Sequence, residues 1–92
     1  MSVSADVLDR TWHKLGFRVT DKSSHRFAYF CYEDKQVLFT RRSFGRGKLS
    51  DHLAQLIRQQ MRLNEEQFSS ALSCPLDHKG YVEILLAKKL LA

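Results

Sequence analysis

Residues 26–42 read RFAYFCYEDKQVLFTRR, two runs rich in aromatic and β-branched residues on either side of a polar turn. Such runs favour strands, and a short polar connection favours an antiparallel hairpin. In the first run, Phe27, Tyr29 and Cys31 point one way, and Ala28, Phe30 and Tyr32 point the other. Both faces are largely apolar. We therefore expect a central strand, with helices on one face and the other face partly covered or exposed for contact.

One more strand-like run and a first helix precede this hairpin. The three runs lie at residues 17–21, 26–33 and 36–42. Short polar turns separate them, so we expect an antiparallel meander. Ahead of them, apolar positions recur at helical spacing over residues 4–15. Ser4 can serve as the N-cap of this helix, and Gly16 can end it.

Three helices are predicted after the sheet, each with a polar capping residue. The first begins after Ser50 and runs to about residue 62. Its expected buried stripe contains Leu53, Leu56, Ile57, Gln60 and Met61. The second begins at Asn64, where Gln67 can complete a capping box, and the third is capped by Asp77.

The last helix carries an apolar stripe that is wide for so small a domain. Its apolar positions are Tyr81, Ile84, Leu85, Leu86 and Leu90. Such a stripe either packs deeply across the sheet or forms a contact with a second copy or another partner.

The order of helix, three strands and two or three helices predicts an α+β fold. Its first five elements match the double-stranded-RNA-binding architecture, an α-β-β-β-α core whose three-stranded antiparallel sheet has helices on one face. One or two C-terminal helices follow that core. The 92 residues fit a single domain, with the core at about residues 4–72 and a C-terminal extension at 73–92.

Positive charge is concentrated in the first two thirds of the chain. Residues 10–62 hold twelve Lys/Arg against four Asp/Glu, and the remaining residues hold three against six. Such a surplus favours nucleic acid or another polyanion as partner, because neutralised phosphates release counterions. The alternative is that it serves solubility alone. Tyr29, Phe30 and Tyr32 could stack on bases, although we expect at least two of them in the core.

The sequence carries no signal for secretion or membrane insertion. Its first residues lack the charged and apolar regions of a signal peptide, and no apolar run approaches the roughly 20 residues that span a bilayer. We therefore expect a soluble, cytoplasmic protein. Cys31 and Cys74 lack metal-ligand spacing, so we expect reduced thiols, no bound metal and no cofactor.

One histidine stands between cations at the turn into the central strand, in the stretch KSSHRF at residues 22–27. Imidazole is the side chain whose unperturbed pKa lies nearest neutrality, so it can transfer protons at working pH. Basic neighbours indicate a phosphate-bearing substrate, which makes His25 a candidate in RNA chemistry. Taken alone, such a histidine is more often a turn-stabilising or surface residue. We assign His13, His52 and His78 to the surface and Trp12 to the core.

Four segments in a fixed order resemble one family. They are WHKLGF at residues 12–17, Ser24-His25 opening a strand, GRGKL leading into LAQLIRQQ at 45–60, and LNEEQF at 63–68. The succession, from about residue 8 to 72, resembles the HicA-type toxins of bacterial and archaeal toxin–antitoxin systems. Cys74-Pro75-Leu76 followed by Tyr81-Val82-Glu83 resembles the tail of a longer subgroup of that family.

The resemblance implies a small endoribonuclease that cleaves messenger RNA and is neutralised by a HicB-type antitoxin. The family's functional histidine follows a Gly-Ser pair at the turn into the second strand, and His25 matches it. Ser23 stands where glycine is usual, which narrows the conformational freedom of the turn. Phe44 stands near the place where many members have another histidine, so a two-histidine mechanism is not carried over. Phe44 can instead stack on a base.

We expect metal-independent cleavage, because the basic segment lacks the clustered carboxylates that hard cations prefer. His25 would take the proton of a ribose 2′-hydroxyl, which attacks the adjacent phosphorus. RNA contacts are predicted for Lys22, Ser24, Arg26, Arg41, Arg42, Arg46 and Lys48. Arg42, Arg46 or Lys48 would stabilise the charge that develops on the phosphoryl oxygens. Tyr29 and Lys48 are the candidates for the acid that protonates the leaving group.

Two other functions are compatible with these residues. A non-catalytic RNA-binding or regulatory domain would dock the same basic face on RNA, with His25 as a contact only. A protein–protein interaction module would use the last helix as its interface. The predicted partners are messenger RNA and a HicB-type antitoxin, with the C-terminal helix as the place for a homo-oligomer contact and no membrane partner.

Overall fold

The structure is a computed structural model that describes residues 3–43, 47–73 and 75–91. Within these ranges the elements are helix α1 (Ala5–Leu15), strands β1 (Arg18–Lys22), β2 (His25–Tyr32) and β3 (Lys35–Ser43), and helices α2 (Asp51–Gln60), α3 (Glu65–Leu72) and α4 (His78–Ala87). The predicted α+β fold, an α-β-β-β-α succession with further helices after it, is confirmed. None of the helices in these ranges is long and apolar enough to cross a bilayer.

The three strands form one antiparallel sheet in the order β1-β2-β3. In the ladders Phe27 of β2 lies between Thr20 of β1 and Arg41 of β3. A register shift follows Phe30, so the end of β2 near the β2–β3 turn is irregular. The prediction that β2 is the central strand is therefore confirmed.

The helices begin where the sequence indicates and α1 ends there too, whereas α2 ends at Gln60 rather than at about residue 62, and α4 ends at Ala87, before Leu90. Ser4 caps α1 by accepting a hydrogen bond from the Val7 amide at 3.2 Å, and Asp77 caps α4 in the same way. Asn64 and Gln67 form the predicted capping box at the start of α3. Gly16 ends α1 with φ 91°, a left-handed conformation that favours glycine.

The core lies between one face of the sheet and the helices. Every helix contributes to the same apolar cluster, with Leu8 and Trp12 from α1, Ile57 from α2, Phe68 from α3, and Tyr81 and Leu85 from α4. The Tyr81 ring meets Phe30 of β2 edge-on at a centroid distance of 4.9 Å, and its hydroxyl donates to the Met61 carbonyl at 2.8 Å. The C-terminal helix is thus an integral part of the core, as one of the two interpretations of its stripe predicted.

Part of the α4 stripe remains at the surface. Leu86 of α4 is 46% exposed, and Leu90, which the sequence placed in the same stripe, lies beyond the end of α4 at Ala87 and is 40% exposed. The homo-oligomer contact assigned to this helix therefore stays a prediction, and these two leucines are where it would form.

The predicted buried stripe of α2 is wrong at one position. Ala54, Ile57 and Met61 are buried, but Leu56 is 42% exposed and borders a groove beside β3. Consecutive helical residues are rotated by about 100° from each other, so a narrow stripe that is centred between Ala54, Ile57 and Met61 leaves Leu56 at its edge. Since α2 packs against the edge strand β3, its buried stripe is narrow.

Candidate nucleic-acid interface

The side of the sheet that faces away from the helices carries aromatic and basic side chains. Residues paired across an antiparallel ladder share a face, and Ala28 and Phe30 are fully buried under the helices. His25, Phe27 and Tyr29 alternate with these residues in β2 and therefore point away from the helices, as do their cross-strand partners in β1 and β3. We call this surface the open face, and it consists of Arg18, Thr20, Lys22, His25, Phe27, Tyr29, Phe39, Arg41 and Ser43.

Four rings follow one another across the open face. The centroid of His25 lies 6.2 Å from that of Phe27, which lies 6.1 Å from that of Tyr29. The planes of Phe27 and Tyr29 are within 13° of parallel, and Phe39 follows Tyr29 at 6.0 Å. Phe39 is 48% exposed and the other three side chains are half-buried. Partly exposed rings of this kind offer flat apolar surfaces to a planar ligand.

His25 lies at one end of this row and borders two cavities. One of about 280 Å³ is lined by Lys22, Ser23, His25, Phe27, Tyr29 and Arg41. The other, of about 190 Å³, also borders Arg41 and extends to Leu53 and Leu56 of α2. The imidazole is therefore positioned by its neighbours and remains accessible to a ligand. It shares a cavity with the cations Lys22 and Arg41, which are the side chains that bind phosphate oxygens.

The turn that positions His25 has a constrained backbone. Lys22 pairs with His25, which leaves Ser23 and Ser24 as the two-residue connection between β1 and β2. Ser23 has φ 57°, in the left-handed region that glycine adopts most readily, so glycine would fit this position with less strain. The Ser24 hydroxyl oxygen lies 3.4 Å from Nδ1 of His25 and can orient the ring.

Two of the arginines predicted to contact RNA are held on the helix side of the sheet. Arg42 is 4% exposed, and its Nε and Nη2 donate to the two carboxylate oxygens of Asp9 at 2.9 and 2.7 Å. Arg26 forms ion pairs with Asp9 at 2.8 Å and with Asp21 at 2.7 Å. The hydrogen bond from Arg26 holds the pKa of Asp21 below its usual value. Both guanidinium groups are bound to carboxylates of the protein and do not belong to the open face.

The other predicted contacts are distributed unevenly. Lys22 and Arg41 line the cavity of His25, and neither forms an ion pair with any residue that the structure describes. Lys48 is exposed but does not line that cavity. The predicted contact Arg46 and the proposed stacking residue Phe44 lie outside the described residues.

Several other side chains lie where the sequence predicts them. His13, His52 and His78 are exposed and Trp12 is fully buried. Phe30 and Tyr32 pack in or against the core, whereas Tyr29 lies on the open face. Cys31 is an exposed free thiol, and Cys74 lies outside the described residues. Among the residues described, no three His, Cys, Asp or Glu side chains are grouped as a metal site would require.

Reasoning from the sequence did not select Arg18, Phe27 or Phe39 for the site. The sequence does contain a signal for this shared face, because Phe27 and Tyr29 are two residues apart in one strand-like run, and Phe39 and Arg41 are two residues apart in the next. The pairing of Tyr29 with both Arg18 and Phe39 depends on the strand register, which a turn of uncertain length leaves open.

Comparison with protein-family models, with curated proteins and with solved structures finds no match to this chain. The resemblance to HicA-type toxins rests on the segments quoted above. The geometry of the open face and that resemblance together support the proposal that follows.

Proposed function

We propose that this chain is an endoribonuclease of the HicA toxin type, with His25 as its general base. The observation that most directly supports this is the cavity that His25 shares with Lys22 and Arg41. A phosphodiester bound by the two cations would bring its ribose next to the imidazole. The segments that resemble HicA-type toxins favour cleavage over binding alone.

The proposed reaction is an internal displacement at phosphorus. His25 accepts the proton of a ribose 2′-hydroxyl, and the 2′-oxygen forms a bond to the adjacent phosphorus. The bond from phosphorus to the 5′-oxygen of the next nucleotide breaks, and that oxygen leaves with a proton from an acid. The products are a 2′,3′-cyclic phosphate and a 5′-hydroxyl.

The open face supplies the other groups that this reaction needs. Lys22 and Arg41 would stabilise the negative charge that develops on the phosphoryl oxygens. Of the two candidate acids, Tyr29 lines the cavity of His25 and Lys48 does not. Tyr29 is therefore the better placed donor of a proton to the leaving 5′-oxygen.

Cleavage of a long RNA by the purified protein, with a metal chelator present, tests this proposal. We expect fragmentation by the wild type and a rate at least about 100-fold lower for His25→Ala, because a general base contributes about 10²- to 10⁴-fold. His13→Ala is the matched control, since His13 is an exposed histidine on α1. Both variants should keep the wild-type circular dichroism spectrum and melting temperature, and only His25→Ala should lose growth arrest on expression.

Two outcomes would contradict the proposal. Undiminished cleavage or toxicity in a folded His25→Ala protein would remove the histidine from the mechanism. Binding of RNA by the wild type without any cleavage would favour the non-catalytic RNA-binding alternative.

The proposal extends to a HicB-type antitoxin as protein partner and to the cytoplasm as location. An acidic surface laid over the open face would be attracted by Arg18, Lys22 and Arg41 and would cover His25. Such a partner should stop cleavage at stoichiometric amounts, and added salt should slow its association.

A further inference from the structure

We propose that the open face binds unpaired nucleotides by stacking their bases on Phe27, Tyr29 and Phe39. This inference rests on the proposed function and deepens it, because it specifies single-stranded RNA as the form that reaches His25. Phe27 and Tyr29 line the cavity of His25, and Phe39 continues the row beyond it, at steps of about 6 Å between centroids. Bases adjoining the reacting phosphodiester would therefore meet a ring rather than solvent.

The core of the domain does not account for these rings. On the helix side of the sheet, Phe30 and Leu38 already fill the space under the helices. Phe39 is nearly half exposed, and Phe27 and Tyr29 are only half-buried, although aromatic strand residues normally lie inside. A row of exposed apolar rings on a small protein indicates a surface that a ligand covers.

The positive charges beside the rings indicate which class of ligand the open face binds. Arg18, Lys22 and Arg41 belong to the open face, which contains no carboxylate. Asp21 is the one acidic residue within the described strands, and it lies on the opposite face with Arg26. An acidic peptide would satisfy the cations but would leave the rings without planar partners. A strand of nucleic acid supplies both phosphates and flat bases.

The geometry also distinguishes a single strand from a duplex. In a duplex the base faces are stacked within the helix, and proteins contact it through phosphates, 2′-hydroxyls and groove edges. Exposed aromatic rings gain no stacking partner from such a surface. Unpaired bases can lie on the rings while their phosphates face Arg41, which is the cross-strand partner of Phe27.

A binding experiment that does not depend on cleavage tests the inference. The probe is a fluorescent 2′-O-methyl oligoribonucleotide of about 12 nucleotides, which lacks the free 2′-hydroxyl that cleavage requires. Fluorescence anisotropy compares this single strand with the same strand annealed to its complement. We expect the single strand to bind about 10-fold tighter or more, because only unpaired bases can use the rings.

Ring variants locate the binding surface. We expect Phe27→Ala and Tyr29→Ala each to weaken single-strand binding about 10-fold, since stacking on one ring contributes that much affinity. Tyr29→Phe keeps the ring and should keep wild-type affinity. Leu86→Ala is the control, because it removes an exposed apolar side chain from α4, on the helix side.

Three results would overturn the inference. They are equal affinity for strand and duplex, unchanged affinity in a folded Phe27→Ala/Tyr29→Ala protein, and binding of neither probe, which would leave the open face to an acidic protein. The outcome also separates this inference from the proposed nuclease activity. RNA cleavage by the wild type together with unchanged binding in the ring variants rejects stacking alone, and ring-dependent binding without cleavage of unmodified RNA by the wild type rejects the nuclease alone.

Discussion

On the helix side of the sheet Ala28, Phe30 and Thr40 are fully buried, whereas on the open face Phe39 is nearly half exposed. Both faces contain phenylalanine and arginine, so composition does not separate them. The contacts of their side chains do distinguish the two faces. Phe30 packs edge-on against Tyr81 of α4, whereas Phe39 packs against Tyr29 of its own sheet. The same residue types therefore stabilise the fold on one face and remain available to a ligand on the other.

Arg41 and Arg42 show this difference at neighbouring positions. Both were predicted to contact RNA, but consecutive strand residues point to opposite faces. Arg42 is buried against Asp9 of α1 and borders only the smaller of the two cavities of His25, whereas the exposed Arg41 lines both of them. A pair of basic residues in a strand thus contributes one cation to each face.

The largest effect expected from comparing the faces concerns two phenylalanines of β2. Phe30→Ala should lower the free energy of unfolding by about 3 to 5 kcal/mol, because it leaves a cavity in the core. Phe27→Ala should lower it by about 1 kcal/mol or less, because its ring contributes cross-strand contacts on the open face. Urea denaturation followed by circular dichroism measures both values. Equal losses in the two variants would mean that both faces contribute alike to stability.

The next largest effect concerns the ion pairs of the helix side. Asp9→Ala should cost about 2 to 3 kcal/mol, because it leaves the Arg42 guanidinium buried without its carboxylate. Arg41→Ala should change stability by less than about 0.5 kcal/mol, as expected of an exposed side chain that forms no ion pair with the described residues. Thermal and urea unfolding of the two variants check this. A loss on Arg41→Ala as large as that on Asp9→Ala would place Arg41 in a structural role.

The elements of the fold were predictable because they depend on local features. Ser4, Asn64 and Asp77 cap the helices that their positions indicate, and strand alternation places Phe30 inside. The exposure of Leu56 was missed, because helical spacing alone does not say how wide a stripe a neighbouring strand will cover.

The candidate site was predictable only in part. His25, Lys22 and Arg41 were selected from their types and their place near the turn, and the structure brings them to one cavity. The partners of Arg26 and Arg42 were not predictable, because Asp9 lies far away in the chain and meets them only through the packing of α1. Contacts of that kind depend on tertiary structure rather than on local spacing.

The smallest expected effect compares a tyrosine from each face. Tyr81→Phe should cost about 1 to 2 kcal/mol near pH 8, because the buried Met61 carbonyl loses its donor. Burial raises the pKa of Tyr81 above its usual value of 10.0, so the folded state holds its proton more tightly than the unfolded state. The wild type should therefore lose stability above about pH 10, and Tyr81→Phe should lose less over the same range.

Tyr29→Phe, as control, should stay within about 0.5 kcal/mol of the wild type near pH 8. Urea titrations at stepped pH measure these differences, and parallel pH curves for the wild type and Tyr81→Phe would show that the Tyr81 hydroxyl is not desolvated by the core.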